Sequence, residues 1–295
     1  MNLEYIVNTN DITKTIKDIL ISHFKISHRL LVTLKKEKAI FLNGEITNIN
    51  KIIAPEDKIT VTFDYEEDNS NIIPKEMPLD IIYEDDWYLV VNKDAGIPVH
   101  PSIFHYEDSL SSGIKFYFDK IGLKKKIRPV NRIDKDTSGL VIFAKNEYIQ
   151  EALIRQMKTK AFNKEYIAIV EGTLTNKQGT IDAPISRKEG SIIERCIDEN
   201  GAPSITHYEV LKENTIEDIT YSVVKCILET GRTHQIRVHM QYINHPLLGD
   251  DLYSGNTDLI KRQALHSSKI SFIHPITNKK VEYEVNLPND LKLFI

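Results

Sequence analysis

Apolar and polar residues follow two different periods in the first part of the chain. After Asp11, isoleucine and leucine recur at the spacing of one helical face, which predicts a helix capped by that aspartate. Ser27 precedes a second helical stretch, HRLLVTLKK, and can cap it. Asn43 and Gly44 then separate two short apolar runs as a hairpin turn would, and 58–63 alternates like a half-buried strand. This order of elements predicts a small α/β module.

From residue 79 onward, the pattern changes to short runs rich in β-branched and aromatic residues, which predict strands. The predicted strands lie at 79–93, where two strands flank a turn, and at 139–146, 164–174, 205–213, 221–231 and 280–288. Helical patterns occupy 109–122 and 146–160. Because strands and helices do not alternate regularly, we expect an α+β fold with a mixed, mostly antiparallel sheet and flanking helices.

A change in composition separates these two patterns. Residues 67–78 are mostly polar and contain two prolines, which is typical of an interdomain linker. We therefore expect a small module at 1–66, a linker at 67–78 and a larger domain at 79–295. A length of 295 residues agrees with two domains.

Composition excludes several classes of protein. Hydrophobic residues make up 41% and charged residues 27%, an ordinary balance for a soluble protein. The two cysteines form no C-x-x-C pair, so neither a disulfide framework nor a zinc-cysteine site is expected. No apolar run approaches the roughly 18 residues of a membrane span, and the start shows no signal-peptide pattern. These features predict a cytoplasmic protein without a membrane association.

The net charge of -4 argues mildly against a nucleic-acid partner, but the basic residues are unevenly distributed. Residues 12–62 contain nine Lys or Arg against five Asp or Glu. Within them, Lys25, Arg29 and Lys36 are spaced to share one helical stripe. A solvated helix face explains that stripe when it is taken alone.

A second basic run ends at an acidic turn. The run contains Lys124, Lys125, Lys126, Arg128 and Arg132. A polyanion attracted to these cations would lie across Asp134, which follows directly. Two other interpretations of Asp134 stay open: it can cap the Thr-Ser-Gly turn with its side chain, or it can form a glycosidase-like acid pair with Asp136. Two residues of separation rarely give the distance that such a pair needs.

A third polar segment, GRTHQIRVH, begins a predicted helix that Thr233 can cap. His234 and His239 are five residues apart, so they do not form the i, i+4 pair of a zinc helix, and we expect no metal site. Cationic groups at a helix start favour an anionic ligand such as phosphate. Arg237 is one of these groups.

Five segments of the chain, taken in their order along the sequence, resemble motifs of the RluA/RluD family of RNA pseudouridine synthases. The family's H-R-L-D-x-x-T-S-G loop is matched by 131–139, with Asn131 in place of histidine and Ile133 in place of leucine. The other matching segments are 93–101, 164–166, 231–239 and 265–275. The resemblance covers about 79–290, and the first 66 residues resemble more weakly an RNA-binding module of the type found in ribosomal protein S-four.

This resemblance implies a role for each matching residue. It implies that Asp134 is the essential carboxylate, acting as a nucleophile or as a base, with Arg237 as its ion-pair partner. It implies that Tyr166 stacks on the uracil ring and that Leu265 lines the pocket for the base. The remaining expected substrate-binding residues are the cations that would contact RNA phosphates, namely Arg132, Lys124, Lys125, Lys126, Arg128 and Arg29.

The resemblance implies isomerisation of uridine to pseudouridine in structured RNA, by flipping the nucleotide into a pocket and without any cofactor. Ribosomal RNA of the large subunit is the favoured partner and transfer RNA the alternative. We expect a monomer. Two other functions stay open: an RNA-binding protein that has lost catalysis, and a sugar hydrolase that uses Asp134 with Asp136.

Overall fold

Strand pairing divides the computed structural model of the chain, which describes residues 1–101 and 107–295, into two main sheets and a short hairpin. The strands are β1 Asn2–Ile6, β2 Ile40–Leu42, β3 Glu45–Ile46, β4 Lys58–Thr62, β5 Asp80–Glu84, β6 Tyr88–Lys93, β7 Arg128–Pro129, β8 Ser138–Ala144, β9 Asn163–Glu171, β10 Gln178–Asp182, β11 Ile185–Arg187, β12 Arg195–Ile197, β13 Ile205–Ile216, β14 Ile219–Leu228, β15 Leu265–Ile273 and β16 Lys280–Glu284. The α-helices are α1 Ile16–Ser22, α2 His28–Lys36, α3 Leu110–Lys120, α4 Glu147–Met157, α5 Gln235–Tyr242 and α6 Asn289–Lys292. None of these helices is long and apolar enough to span a bilayer.

The first 63 residues form a four-stranded antiparallel sheet in the order β1-β4-β2-β3, covered by α1 and α2. The predicted hairpin is confirmed, since Asn43 and Gly44 have φ angles of 53° and 87°, as a tight turn between antiparallel strands requires. The predicted cap of α2 is also confirmed, because the Ser27 hydroxyl accepts a hydrogen bond from the Leu30 amide at 3.1 Å.

The cap expected for the first helix is wrong. The helix begins at Ile16, and Thr15 caps it by accepting a hydrogen bond from the amide of Asp18. Asp11 lies instead in a short 3-10 turn, and Thr13, with φ of 82°, separates that turn from α1. A left-handed residue cannot continue a right-handed helix, so the helix starts later than the periodicity suggested.

The large sheet contains ten strands and carries most of the chain beyond residue 79. Eight of them follow the order β10-β13-β14-β9-β15-β8-β6-β5, while β16 pairs with β15 and β7 pairs with β8. Neighbouring strands are antiparallel except β8 and β15, which run parallel where His266 lies opposite Ser138. The predicted α+β class with a mostly antiparallel sheet is therefore confirmed.

Both faces of the central strands are covered. All seven residues of β8 are buried, with Leu140 and Ile142 in one hydrophobic cluster and Val141 and Phe143 in the other. The first cluster includes α4 and the small N-terminal sheet, and the second includes α3 and α5. A strand buried on both sides gives a rigid support for any group placed at its start.

Candidate active site

One pocket lies where the start of β8, the strands β9 and β15, and the helix α5 meet. Its volume is about 360 Å³, including the open mouth. Among its lining residues are Arg132, Asp134, Tyr166, Arg237 and Leu265, five of the residues expected to form the site. These residues are far apart in sequence, and the sheet brings them together because β8 and β15 pair side by side.

Asp134 lies in a tight turn at the start of β8. The backbone carbonyl of Asp134 accepts a hydrogen bond from the Thr137 amide at 3.2 Å, which closes the turn. The side-chain carboxylate makes no such bond, so the interpretation of Asp134 as a side-chain cap of this turn is wrong. The carboxylate is 26% exposed and faces the pocket.

The carbonyl groups of this aspartate loop are held by two basic side chains. The buried ammonium of Lys93 donates to the carbonyl of Lys135 at 2.8 Å, and the guanidinium of Arg262 donates to the carbonyl of Asp136 at 3.0 Å. Charged donors make stronger hydrogen bonds than neutral ones. The backbone that leads into β8 is therefore held in place before any substrate binds.

Asn131, which replaces the commonest family residue histidine, is part of this support. Its side-chain amide donates to the carbonyl of Leu140 at 3.1 Å, and its side-chain oxygen accepts from the amide of Ile142 at 2.9 Å. The asparagine thus pairs with β8 in the way a neighbouring strand would. Its place is structural, and it lies behind the loop that carries Asp134.

Arg237 joins two carboxylates. It donates from Nε and Nη2 to the two oxygens of Asp250, both at 2.7 Å, and from Nη1 to Oδ2 of Asp134 at 3.2 Å. Burial disfavours the charge of Arg237, but the hydrogen bonds and charges of Asp250 and Asp134 together outweigh burial and raise its pKa. Because the Asp250 side chain has no exposed area, this pair sets the position of the guanidinium before it meets Asp134.

The two oxygens of Asp134 have different surroundings. Oδ2 bonds to Arg237, and Nε2 of His234 lies 3.9 Å from the same oxygen. Within residues 1–101 and 107–295, Oδ1 has no hydrogen-bond partner in the protein. That oxygen is the one available to a ligand in the pocket.

His234 occupies the position before α5 with φ of 59° and ψ of 19°. It forms no side-chain cap, and neither does Thr233, because Gln235 satisfies the loop by accepting hydrogen bonds from the Arg232 amide and the Thr230 hydroxyl. The prediction that Thr233 caps this helix is therefore wrong. Burial lowers the pKa of His234, so its ring is neutral at neutral pH.

Apolar and aromatic side chains form part of the pocket wall. Tyr166 on β9 is buried, and burial raises the pKa of its hydroxyl, so the side chain enters the site as a neutral phenol. Leu265, at the start of β15, is buried as well and lies beside Ile133 and Leu228 on the pocket wall. Flat, weakly polar ligands fit such walls.

Three cations of the basic run before Asp134 are exposed. Arg132 lines the pocket and an adjoining groove that also contains Arg232. Lys126 is exposed, and Lys124 forms a solvent-exposed ion pair with Glu66 at 2.9 Å. Such exposed pairs are weak and can be exchanged for a phosphate.

Two other cations of the same run point inward. The Lys125 ammonium donates to the carbonyls of Phe63 and Tyr65, and only 3% of the residue is exposed. Arg128 forms a buried bidentate pair with Glu67, with one bond at 2.7 Å. Their charges are therefore engaged inside the protein, and we leave both out of the proposed RNA-binding surface.

The basic stripe on the N-terminal module is interrupted. Lys25 has φ of 58° and precedes α2, so it does not share a helical stripe with Arg29 and Lys36. The Arg29 side chain is 88% exposed and lies 3.3 Å from Glu147 of α4. It remains a candidate phosphate ligand at the junction of the module with the large sheet.

Comparison with known proteins decides the family. A family model described as RNA pseudouridylate synthase matches residues 87–242, more than half of the chain. The chain belongs to this family. The match contains the aspartate loop, Tyr166 and Arg237.

Relatives and solved structures agree with this membership. The uncharacterised RNA pseudouridine synthase YjbO of Bacillus subtilis is 38% identical over 92% of this chain and 94% of its own. Ribosomal large subunit pseudouridine synthase D of Neisseria meningitidis serogroup B is 35% identical over 90% and 73%. The structure of human RNA pseudouridylate synthase domain containing 1 matches with a TM-score of 0.61 and 28% identity over 72% and 84%. The protein is thus an RNA pseudouridine synthase.

Sequence patterns missed several residues of this pseudouridine synthase site. Asp250 and Tyr253 follow the helix α5 and contact Arg237 and His234, but they belong to no charged cluster in the sequence. Lys93 begins the matching segment 93–101, but it also ends an apolar strand and no role was expected for it. The sequence signal for Asp250 was the glycine before it, a residue that often marks a sharp turn, and the structure shows Gly249 with a φ of 74°. The described residues contain no cluster of His, Cys, Asp and Glu that could hold a metal ion.

Proposed function

We propose that this pseudouridine synthase isomerises uridines of large-subunit ribosomal RNA, with Asp134 as the essential carboxylate and with the target nucleotide flipped out of its stack. The observation that carries the proposal is the position of Asp134. One of its oxygens is held by Arg237, and the other faces an apolar-walled pocket that Tyr166 and Leu265 line.

The reaction rearranges the atoms of one nucleoside. The bond between C1′ of the ribose and N1 of uracil breaks, the base turns, and C1′ bonds to C5. The proton on C5 is then lost, and N1 gains a proton, so the product is an isomer of the substrate. A carboxylate that is partly shielded from water by apolar side chains acts more strongly on the sugar than one in bulk water, because exclusion of water increases electrostatic interactions.

The pocket is suited to hold the base while it turns. Tyr166 offers an aromatic face and Leu265 an apolar one, so both contact uracil without fixing its hydrogen-bonding edge. A base inside a helix cannot reach Asp134, and flipping it out costs a few kcal/mol. Exposed cations near the mouth, Arg132 and Arg232, would offset this cost by binding the neighbouring phosphates.

The relatives favour ribosomal RNA as the target. Several relatives, such as the Neisseria meningitidis protein, are named ribosomal large subunit pseudouridine synthase D. The module at 1–66 would add affinity for structured RNA through exposed cations such as Arg29, with 67–78 as its connection to the catalytic domain at 79–295. A ribosomal target would place the protein in the cytoplasm, and the single-chain pocket supports activity as a monomer.

Tritium release tests the role of Asp134. Total RNA labelled at C5 of uracil is prepared from a strain that lacks the gene, and release of tritium is measured with the wild-type protein and two variants. Asp134→Asn should lose at least about a thousandfold in rate, because it removes the reacting charge and keeps the shape. Its RNA affinity, measured by filter binding, should stay within about threefold.

Asp136→Asn is the matched control, since this neighbouring carboxylate does not line the pocket. It should retain most of the activity. Full activity in Asp134→Asn would overturn the proposal. Free uracil as the product, together with loss of activity in Asp136→Asn, would favour a sugar hydrolase. Mapping of pseudouridines in ribosomal and transfer RNA from the deletion strain then identifies the target.

A further inference from the structure

Tyr253 lies directly behind the pocket and contacts two of its residues. It ends the 3-10 turn Asp251–Tyr253 and is 2% exposed. Its hydroxyl lies 2.9 Å from Nδ1 of His234, and its ring centroid lies 4.9 Å from Cζ of Arg237. Both of these residues approach the same oxygen, Oδ2 of Asp134.

Hydrogen-bonding rules assign the proton of this hydroxyl. The backbone amide of Arg195 donates to the Tyr253 oxygen at 2.9 Å, because an amide N–H can only donate. Burial raises the pKa of Tyr253, so the hydroxyl keeps its proton. Within residues 1–101 and 107–295, the remaining partner for that proton is Nδ1 of His234.

The assignment determines the tautomer of His234. Its ring is neutral at neutral pH because burial lowers its pKa. A neutral imidazole has one donor nitrogen and one acceptor nitrogen. With Nδ1 accepting from Tyr253, the proton is on Nε2, and this nitrogen lies 3.9 Å from Oδ2 of Asp134.

The backbone conformation of His234 indicates that the fold requires the ring in this position. A φ of 59° is a left-handed conformation that costs a residue with a side chain about 1–2 kcal/mol. No side-chain cap of α5 explains the conformation, because His234 forms none. Strain of this kind persists where the surrounding structure needs the residue in place.

We propose that Tyr253 is a positioning residue that acts through His234. By donating to Nδ1, it fixes the ring with Nε2–H toward Oδ2 of Asp134, and it thereby keeps Oδ1 directed at the nucleoside. The aromatic ring of Tyr253 supports Arg237 separately, through a cation–π contact. This inference rests on the proposed role of Asp134.

Single-turnover kinetics test the inference in the full-length protein. Tyr253→Phe removes the hydroxyl and keeps the ring, and its tritium release is measured with excess enzyme on C5-labelled total RNA from the deletion strain. We expect the rate constant at saturating enzyme to fall between about tenfold and a hundredfold, because the carboxylate is held less accurately. The half-saturating enzyme concentration should change less than about threefold.

Tyr221→Phe is the matched control. Tyr221 is fully buried, and its hydroxyl donates one hydrogen bond, to the carbonyl of Phe294 at 3.2 Å, in a different hydrophobic cluster. Its rate constant should stay within about twofold of wild type. An equal rate for Tyr253→Phe and Tyr221→Phe would overturn the inference.

A double-mutant cycle separates positioning through His234 from a general structural effect. His234→Gln keeps an N–H donor but has no tautomer for Tyr253 to select, so adding Tyr253→Phe to it should slow the reaction less than about twofold. A slowing in this background as large as in wild type would contradict the proposal.

Nitrogen-15 NMR of histidine-labelled wild-type protein needs no RNA and no folded variant of Tyr253. The signals that disappear in His234→Gln identify His234. A proton on Nε2 supports the inference, and a proton on Nδ1 overturns it. An inactive wild type would count against the proposed function, and the NMR result would still decide the hydrogen bond.

Discussion

At the scale of single residues, the site is organised around one guanidinium between two carboxylates. Arg237 binds Asp250 with two hydrogen bonds and Asp134 with one. One guanidinium and two carboxylates together carry one net negative charge. Under the proposed function this charge lies beside C1′ of the nucleotide and favours cleavage of the glycosidic bond, because positive charge develops on the sugar as the base leaves.

Lys93 gives the aspartate loop a measurable dependence on pH. Lys93 is 1% exposed, and burial lowers the pKa of its ammonium group from 10.5 to about 7. The nearby carboxylates of Asp136 and Asp134 act in the opposite direction. Below pH 7 both the folded and the unfolded chain hold the proton. Between about 7 and 10.5 only the unfolded chain binds it, so this group makes the folded state more stable as pH rises.

We expect Lys93 to raise the free energy of unfolding by about 1.4 kcal/mol per pH unit above pH 7, and Lys93→Met should abolish this increase. Urea unfolding of both proteins at about pH 7.5 and about pH 9.5 measures the effect. The free energy of unfolding of wild type, minus that of the variant, should increase across this range. Other groups titrate equally in both proteins, so an unchanged difference would show that Lys93 is not titrating there.

Prediction from sequence reached residues that line the pocket and missed those that hold them in place. Asp134 and Arg237 belong to ordered motifs, and the structure brings them within 3.2 Å of each other. Asp250 and Tyr253 act through partners whose position depends on the folded chain, so neither spacing nor composition identified them. Lys125 is the opposite case, because the sequence predicted contact with RNA but the residue is buried. A charged run in a sequence cannot show that one of its members is buried.

At the scale of elements, the sequence predicted most strands and helices, because their periodicity is local. It did not predict which strands are neighbours. The parallel pairing of β8 with β15 joins segments more than 120 residues apart, and no pattern within either strand encodes it. This pairing places the aspartate loop beside Leu265. The site therefore depends on a contact between distant segments, which local patterns do not contain.

Gly139 is the residue that permits this pairing. Its φ is 112°, and a Cβ atom at this position would lie 2.2 Å from the backbone carbonyl oxygen of Ser267. We expect Gly139→Ala to lower the free energy of unfolding by about 3 kcal/mol or more, because neither backbone can move without breaking the sheet. Urea unfolding of the purified variant measures this loss.

Gly122→Ala is the control at the element scale. Gly122 also has a left-handed φ, of 72°, but a Cβ atom there would meet nothing within 4 Å. Its cost should therefore be only about 1–2 kcal/mol, from backbone strain alone. Equal losses in the two variants would mean that the close approach of β8 and β15 is unimportant.

At the scale of the whole molecule, the small sheet and the large sheet share one hydrophobic cluster. The ring of Phe63 stacks on Tyr148 of α4 with centroids 5.7 Å apart, and both are buried. The Ser27 hydroxyl, at the start of α2, also donates to Glu151 of α4 at 2.6 Å. A module fixed in this way presents its exposed cations in a constant direction relative to the active site.

Two adjacent ion pairs at this junction allow the strength of the connection to be tested. Glu67 pairs with Arg128, and their side chains are 10% and 9% exposed. Glu66 pairs with Lys124, and their side chains are 71% and 65% exposed. Removing one partner of a buried pair leaves an unpaired charge in the interior, whereas an exposed pair contributes little.

We therefore expect Glu67→Ala to lower the free energy of unfolding by about 3 kcal/mol, and Glu66→Ala to change it by less than about 0.5 kcal/mol. Thermal and urea unfolding of the two full-length variants measure both values. Because Arg128 lies in β7, which pairs with β8, the loss in Glu67→Ala should also slow tritium release. Similar stabilities of the two variants would show that the buried ion pair contributes little to the attachment of the module and has no part in aligning it with the pocket.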